Sequence, residues 1–167
     1  MTKIWCNTSG VNLQTFVISL LLTAAASGQE PQSETSESPL FRGEQLMLAG
    51  SYAAAADIFQ MADGLNRNEG IVGASKAFFS MGNSVEAINI ADAFIEDGDY
   101  ARYPLVSTQL AELKREVGQS SEAIEILAVV VEEQFEPPLR ALVQYGSLLK
   151  LVNRKSEAER VLSLAVQ

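Results

Sequence analysis

The sequence predicts an all-α fold built from about four helix–turn–helix units. One pattern recurs four times between residue 40 and the end of the 167-residue chain. Alanine is abundant, the hydrophobic fraction is 47%, and aromatic residues make up only 7%. A repeat of this length is typical of stacked helix pairs, and small side chains let helix axes approach closely. These observations favour helices packed on helices over a β-sandwich.

The pattern is clearest around the turn inside each unit. Each unit has a Gly or Asn that is followed, five residues later, by an alanine. Gly and Asn tolerate the left-handed backbone conformation that ends a helix, so each of them predicts a turn between two helices. The turn residues are Gly50, Gly82, Gly118 and Asn153, and the alanines are Ala55, Ala87, Ala123 and Ala158.

A small residue stands twelve positions before each of these alanines. The four small residues are Gly43, Ser75, Ala111 and Gly146. We expect each of them to lie on the first helix of its unit and to meet the alanine of the second helix, because small residues permit a close helix crossing. The positions four and seven beyond each alanine are apolar, as the buried stripe of an amphipathic helix requires.

This spacing also predicts where the helices lie. First helices are expected over 40–49, 68–81, 104–117 and 138–152, and second helices over 53–65, 84–96, 120–134 and 155–166. The acidic stretch from Glu96 to Tyr100 is predicted to be a solvated turn. It lacks the spaced Asp/Asn ladder and the distal Glu of a calcium-binding loop.

The repeat resembles the tetratricopeptide repeat family over residues 36–167. Its Gly-aromatic turn and late aromatic are matched by Gly50, Tyr52 and Phe59, and its large-then-small pair in the first helix is matched by Leu110–Ala111 and Tyr145–Gly146. The tryptophan typical of that first helix is absent. The resemblance implies a right-handed α-solenoid, in an exported protein of bacterial type, whose first helices line a concave face that holds a peptide or a partner helix.

The helical period identifies the residues that would point into this face. They combine apolar area with both signs of charge, which suits a helix or an extended peptide held by a few ionic anchors. The predicted partner-binding residues are Met47, Lys76, Phe79, Thr108, Glu112, Arg115, Ser147 and Lys150.

The N-terminus reads as a signal peptide over residues 1–28. Lys3 is the only charged residue before Glu30, and the apolar run from Phe16 to Ala26 leads into small residues. A basic start, a short apolar run and a small-residue exit are the parts of a secretory signal. The alternative is an uncleaved anchor, for which eleven apolar residues are few. The signal predicts an exported protein, either periplasmic or secreted.

A polar, acidic segment over residues 29–39 follows the signal and is predicted to be a disordered leader. It contains no large apolar residue, so it cannot offset the entropy lost on ordering. The repeat domain is then expected over 40–167.

The composition argues against several kinds of chemistry. The chain has no histidine, and its single cysteine, Cys6, lies with Trp5 inside the predicted signal. This removes the usual general base and the usual ligands of zinc, so no catalytic residue, metal or cofactor is predicted. A net charge of −9 without a cluster of basic residues argues against nucleic acid as a partner. No small-molecule substrate is predicted either.

The predicted function is therefore a non-catalytic protein–protein interaction module. One alternative is a structural subunit of a cell-envelope complex. A remote alternative is a carboxylate-dependent hydrolase using Glu132 and Glu133, although adjacent residues on a helix face different directions. The apolar last helix, with Val161, Leu162 and Val166, further suggests docking of a partner or a second copy through the C-terminal helix.

Overall fold

The computed structural model describes residues 37–166, and the chain is all-α in this range. It contains no strand there, and its eight α-helices are α1 (Pro39–Leu48), α2 (Tyr52–Gln60), α3 (Arg67–Ser80), α4 (Ser84–Phe94), α5 (Pro104–Glu116), α6 (Ser120–Glu133), α7 (Leu139–Leu151) and α8 (Lys155–Leu164). The predicted signal peptide over 1–28, including Trp5 and Cys6, lies outside the described residues, as does most of the predicted leader.

Two helix ends differ from the prediction for local reasons. The helix α1 begins at Pro39, inside the predicted leader, because proline is suited to the first helical position and the Ser38 hydroxyl accepts a hydrogen bond of 3.2 Å from the Leu40 backbone N–H. The helix α2 ends at Gln60, five residues earlier than expected. The backbone is extended at Asp63 and then forms a 3-10 turn over Gly64–Asn66, so the α-helical ladder cannot continue.

The four predicted turn residues all adopt the left-handed conformation, which confirms this part of the prediction. Their φ angles are 73° at Gly50, 78° at Gly82, 85° at Gly118 and 63° at Asn153. Each turn joins two helices that pack against each other. We call these pairs hairpin 1 (α1–α2), hairpin 2 (α3–α4), hairpin 3 (α5–α6) and hairpin 4 (α7–α8).

Consecutive hairpins pack in the order of the chain. The first helix of hairpins 2, 3 and 4 contacts the second helix of the preceding hairpin, and it also contacts the preceding first helix, in the pairs α1 with α3, α3 with α5 and α5 with α7. The first helices therefore run beside one another through the described part of the chain. Between hairpins 2 and 3, the expected turn contains a 3-10 segment over Glu96–Gly98.

The helix crossings differ in detail from the expectation that a small residue meets an alanine. A Cβ atom added at Gly43 would lie 2.6 Å from the ring of Phe59, and one added at Gly146 would lie 2.5 Å from Leu162. Both contacts are with the large side chain one helical turn beyond the alanine. The small residue thus makes room for a bulky side chain. All eight crossing residues are buried: Gly43, Ala55, Ser75, Ala87, Ala111, Ala123, Gly146 and Ala158.

The buried side chains form two clusters of unequal size. The larger runs through hairpins 2, 3 and 4 and includes Leu110, Leu127 and Leu149, each fully buried. The smaller joins hairpin 1 to hairpin 2, and its five buried members are four alanines and Phe59. Five larger apolar side chains pack around this smaller cluster but are only partly buried: Leu40, Leu46, Met47, Phe78 and Ile90.

Candidate binding groove

Three adjoining cavities follow the first helices of all four hairpins. Their volumes are about 520, 310 and 400 Å³, in order from hairpin 1 to hairpin 4. Met47, Lys76 and Arg140 line both the first and the second cavity, and Glu112 lines both the second and the third. Because the cavities share walls, we treat them as one surface and call it the groove.

The first cavity is the largest and has mostly apolar walls. Leu40, Met47 and Leu48 come from α1, and Val72 and Leu105 come from α3 and α5. Leu48 is 84% exposed, so its side chain offers apolar surface that nothing in the described chain covers. Burial of apolar surface contributes about 25 cal/mol per Å², so these walls can supply binding free energy to an apolar side chain.

The centre of the groove carries charges of both signs. The guanidinium of Arg140, on α7, forms an ion pair with Glu112 on α5 and lies 3.4 Å from the side-chain oxygen of Gln109. Lys76 lies in the same two cavities, and within residues 37–166 no carboxylate comes within ion-pair distance of its ammonium group. Arg140 is thus already paired, whereas Lys76 offers a cation to a ligand.

The environment of Lys76 is reflected in its pKa. Partial burial of the ammonium group on an otherwise exposed side chain lowers the pKa of Lys76 below its ordinary value of 10.5, and the nearby Arg140 lowers it further. Glu112 and Glu44 act in the opposite direction. A carboxylate placed against Lys76 by a ligand would favour the charged form and reverse this shift.

The third cavity lies between hairpins 3 and 4. Arg115 on α5 faces Val143, Ser147 and Leu151 on α7 across it. Arg115 also forms an ion pair with its neighbour Glu116. This end of the groove therefore combines exposed apolar side chains with one cation, Arg115, and one acid, Glu112.

Six of the eight predicted partner-binding residues line the groove, and two do not. Met47, Lys76, Phe79, Glu112, Arg115 and Ser147 are among its walls. Thr108 is only 2% exposed, and its hydroxyl donates a hydrogen bond of 2.6 Å to the Pro104 carbonyl oxygen. Its side chain is therefore unavailable to a partner, contrary to the expectation. Lys150 is exposed but lines none of these cavities.

Arg140 is the groove residue that the sequence reasoning missed. It lies near the start of α7, yet it reaches the first cavity beside residues of α1 and α3. The helical period assigns side chains to a face within one helix, but it does not say how far a long side chain extends over neighbouring helices. The sequence shows only an arginine two positions after the pair Pro137–Pro138, and this pattern does not indicate where its side chain reaches.

The pair of carboxylates considered for hydrolysis lies elsewhere. Glu132 and Glu133 are exposed near the end of α6 and line none of the groove cavities. Within residues 37–166, no three His, Cys, Asp or Glu side chains are grouped so that they could hold a metal ion. In the same range, no helix has both the length and the apolar character needed to cross a membrane.

Comparison with known proteins adds no family to this description. No protein-family model matches the sequence, and no curated protein matches it either.

Proposed function

We propose that this chain is an exported, non-catalytic protein-binding module that holds a peptide or helix of its partner in the groove. The proposal rests chiefly on the continuity of the groove, since its three cavities share walls and draw side chains from the first helices of all four hairpins. A long, partly apolar channel of this kind suits an extended or helical segment better than a compact metabolite.

The fold suggested by the repeat is part of the same proposal. Four helix–turn–helix units related by spacings of 32, 36 and 35 residues between their alanines would form a tetratricopeptide-like solenoid, with the groove as its concave face. The contacts between successive first helices agree with such an arrangement. The resemblance to that family supports binding of protein segments, and function in such folds depends on the side chains of the surface.

The charges of the groove indicate the chemistry of the segment. Apolar walls in the first cavity would receive one or two bulky side chains, and Lys76 would pair with a carboxylate of the ligand. Since Arg140 is held by Glu112, we expect Lys76 to be the main ionic anchor. A few well-packed side chains usually supply most of the binding energy of an interface, so we expect the apolar side chains in the first cavity to contribute most.

The proposal is tested by affinity purification of the tagged full chain from its own host, followed by mass spectrometry. Lys76→Glu reverses the charge at the centre of the groove, and Arg42→Glu makes the same change on an exposed residue outside it. We expect Lys76→Glu to lose the partner proteins and Arg42→Glu to retain them. Equal recovery with both variants would show that the groove is not the binding surface.

The same experiment separates a module from a fixed subunit. Partners of an interaction module exchange, so added untagged protein should displace the tagged chain from them within the incubation. A single complex of constant stoichiometry that does not exchange would instead favour a structural subunit of a cell-envelope assembly.

A further inference from the structure

The first cavity carries opposite charges at the two ends of a strip along α3. Glu69, Val72, Gly73 and Lys76 all line this cavity, and spacings of three, four and seven residues place them on one face of the helix. Val72 is buried, whereas Glu69 and Lys76 are exposed. At a rise of 1.5 Å per residue, the two charged residues stand about 10 Å apart along the helix axis. An acid and a base therefore bound an apolar strip.

Neither of these two charges is paired inside the described part of the chain. Within residues 37–166, no ion pair includes Glu69 or Lys76. Glu44 on α1 acts to raise the pKa of Lys76, but partial burial and the charge of Arg140 outweigh it, so the pKa is lowered. Arg140 is itself paired with Glu112. Glu69 and Lys76 can therefore each accept a group of opposite charge from a ligand.

The separation of the two charges favours a helix over an extended segment as the occupant. In a helix, residues seven positions apart lie on one face and are about 10 Å apart, as Glu69 and Lys76 are. In an extended segment, about 10 Å corresponds to three residues, and side chains three residues apart point to opposite faces. A helix can therefore present both charges, with apolar side chains between them, to the same strip of α3.

No other helix of this sequence carries the matching pattern. Among the eight helices, only α3 itself has an acidic and a basic residue seven positions apart. In residues 1–36, Lys3 is the only basic residue, and the acidic residue nearest to it is Glu30. The α3 helix of a second copy could not enter, because α1 and α5 flank it and line the same cavity. These facts favour a helix of another protein.

We infer that the partner segment is an amphipathic helix with a basic and an acidic residue two turns apart on the face that enters the groove. The basic residue would pair with Glu69 and the acidic residue with Lys76. Apolar side chains between them would cover Val72 and contact Met47 and Leu105, which line the same cavity. This inference rests on the proposed function, to which it adds the conformation of the segment and a second ionic contact. The two pairs would also fix the direction of the helix along α3.

The test uses the full chain and three end-blocked, fluorescent peptides with the 14-residue length of α3. All have a background of alanine and glutamine and two leucines between two charged positions that are two helical turns apart. The charged residues are lysine and glutamate in the mixed peptide, two glutamates in the acidic peptide and two lysines in the basic peptide. By fluorescence anisotropy, we expect the wild-type chain to bind the mixed peptide on the order of fivefold more tightly than either of the others.

Reversing one charge of the chain should change which peptide binds best. Glu69→Lys should favour the acidic peptide, and Lys76→Glu should favour the basic one. Glu86→Lys is the matched control for the first change, because Glu86 is the third residue of α4 as Glu69 is of α3, and it lines none of the groove cavities. Arg42→Glu is the control for the second change. Both controls should keep the wild-type preference for the mixed peptide.

Failure of this inference is distinguishable from failure of the proposed function. The inference is overturned if the wild-type chain binds all three peptides alike, or if the charge reversals leave the preference unchanged. The groove would still be the binding surface in that case if Leu48→Asp, at an 84% exposed wall of the first cavity, abolishes binding. Binding of none of the peptides also overturns the inference, while the affinity purification with Lys76→Glu decides the proposed function. A dimer that Lys76→Glu dissociates, measured by sedimentation, would identify a second copy as the occupant and overturn the inference.

Discussion

Phe59 is held between glycines of two different helices. A Cβ atom would lie 2.6 Å from its ring at Gly43 on α1 and 2.5 Å from its ring at Gly73 on α3. The ring is only 5% exposed, so it cannot move aside easily. Because Gly43 and Gly73 have no side chains, the ring of Phe59 can pack directly against the backbones of α1 and α3. This contact determines how closely hairpins 1 and 2 approach each other.

We therefore expect Gly73→Ala to destabilise the protein, although alanine favours a helix by about 1 kcal/mol over glycine. Overpacking against the ring typically costs about 1–3 kcal/mol, so the net loss in the free energy of unfolding, measured by urea denaturation, should reach up to about 2 kcal/mol. In a Phe59→Leu background the same substitution should cost less, because the rigid ring is gone. An equal cost in both backgrounds would contradict the packing argument.

A second prediction at this scale concerns the pH dependence of stability. The pKa of Lys76 is lowered in the folded protein by burial and by Arg140. Between this lowered pKa and the ordinary value of 10.5, the unfolded chain holds a proton that the folded chain has released. Stability contributed by this group therefore rises with pH across that window. Lys76→Met should remove this rise.

The measurement compares the free energies of unfolding of wild type and Lys76→Met over a series of alkaline buffers. Other lysines and tyrosines titrate in both proteins, so only the difference between the two curves reports on Lys76. A difference that stays constant with pH would show that the group is not desolvated in the fold.

At the scale of the helix pair, the turn is the feature that the sequence defined best. Three turns use glycine and the fourth uses Asn153, all with positive φ. Gly118 has no atom within 4 Å of an added Cβ, so a substitution there changes only the backbone preference. A substitution at Gly118 therefore tests the backbone conformation of the turn without disturbing the packing of the helices.

Gly118→Ala should destabilise the protein by roughly 1–2 kcal/mol, the cost of a left-handed L-residue. Asn153→Gly should have the opposite sign or no effect, because glycine adopts this conformation without the steric cost. Thermal unfolding followed by circular dichroism measures both. A destabilised Asn153→Gly variant would mean that the asparagine side chain, and not only its backbone, supports the turn.

Helix positions were predictable to the same extent as the turns. Where a left-handed residue follows an apolar stripe, the predicted ends fall within a few residues of the observed ones, as for α5 and α7. The predicted end of α2 at residue 65 was wrong although the sequence has a turn signal there: Asp63–Gly64 is a turn dipeptide, and Gly64 adopts a φ of 54°. Contacts between hairpins, such as the one that brings Arg140 to the first cavity, depend on packing angles that a periodic pattern does not specify.

For the whole molecule, the unequal division of the core predicts unequal local stability. The buried residues between hairpins 1 and 2 are four alanines and Phe59, and the larger apolar side chains around them are only partly buried, while hairpins 2, 3 and 4 share a cluster with several fully buried leucines. Alanine buries little area, so less free energy opposes the separation of hairpin 1. Regions with few buried apolar contacts open locally before the whole fold does.

Native-state hydrogen exchange tests this prediction. The amides of α1 and α2 should lose protection at lower denaturant concentration than those of α5, α6 and α7. Simultaneous loss of protection in all eight helices would show instead that the described chain unfolds as a single cooperative unit.

If hairpin 1 opens first, as predicted, this bears on how a ligand would enter. Leu40, Met47 and Leu48 of this hairpin form one side of the first cavity, the largest of the three in the groove. If hairpin 1 moved away from hairpin 2, the groove would open at its side. A folded helix could then enter from the side and would not have to slide in along the length of the groove. Return of hairpin 1 to its position over the bound helix would slow dissociation of the complex more than it would speed association. This agrees with the general observation that affinity differences among related complexes lie mainly in the dissociation rate.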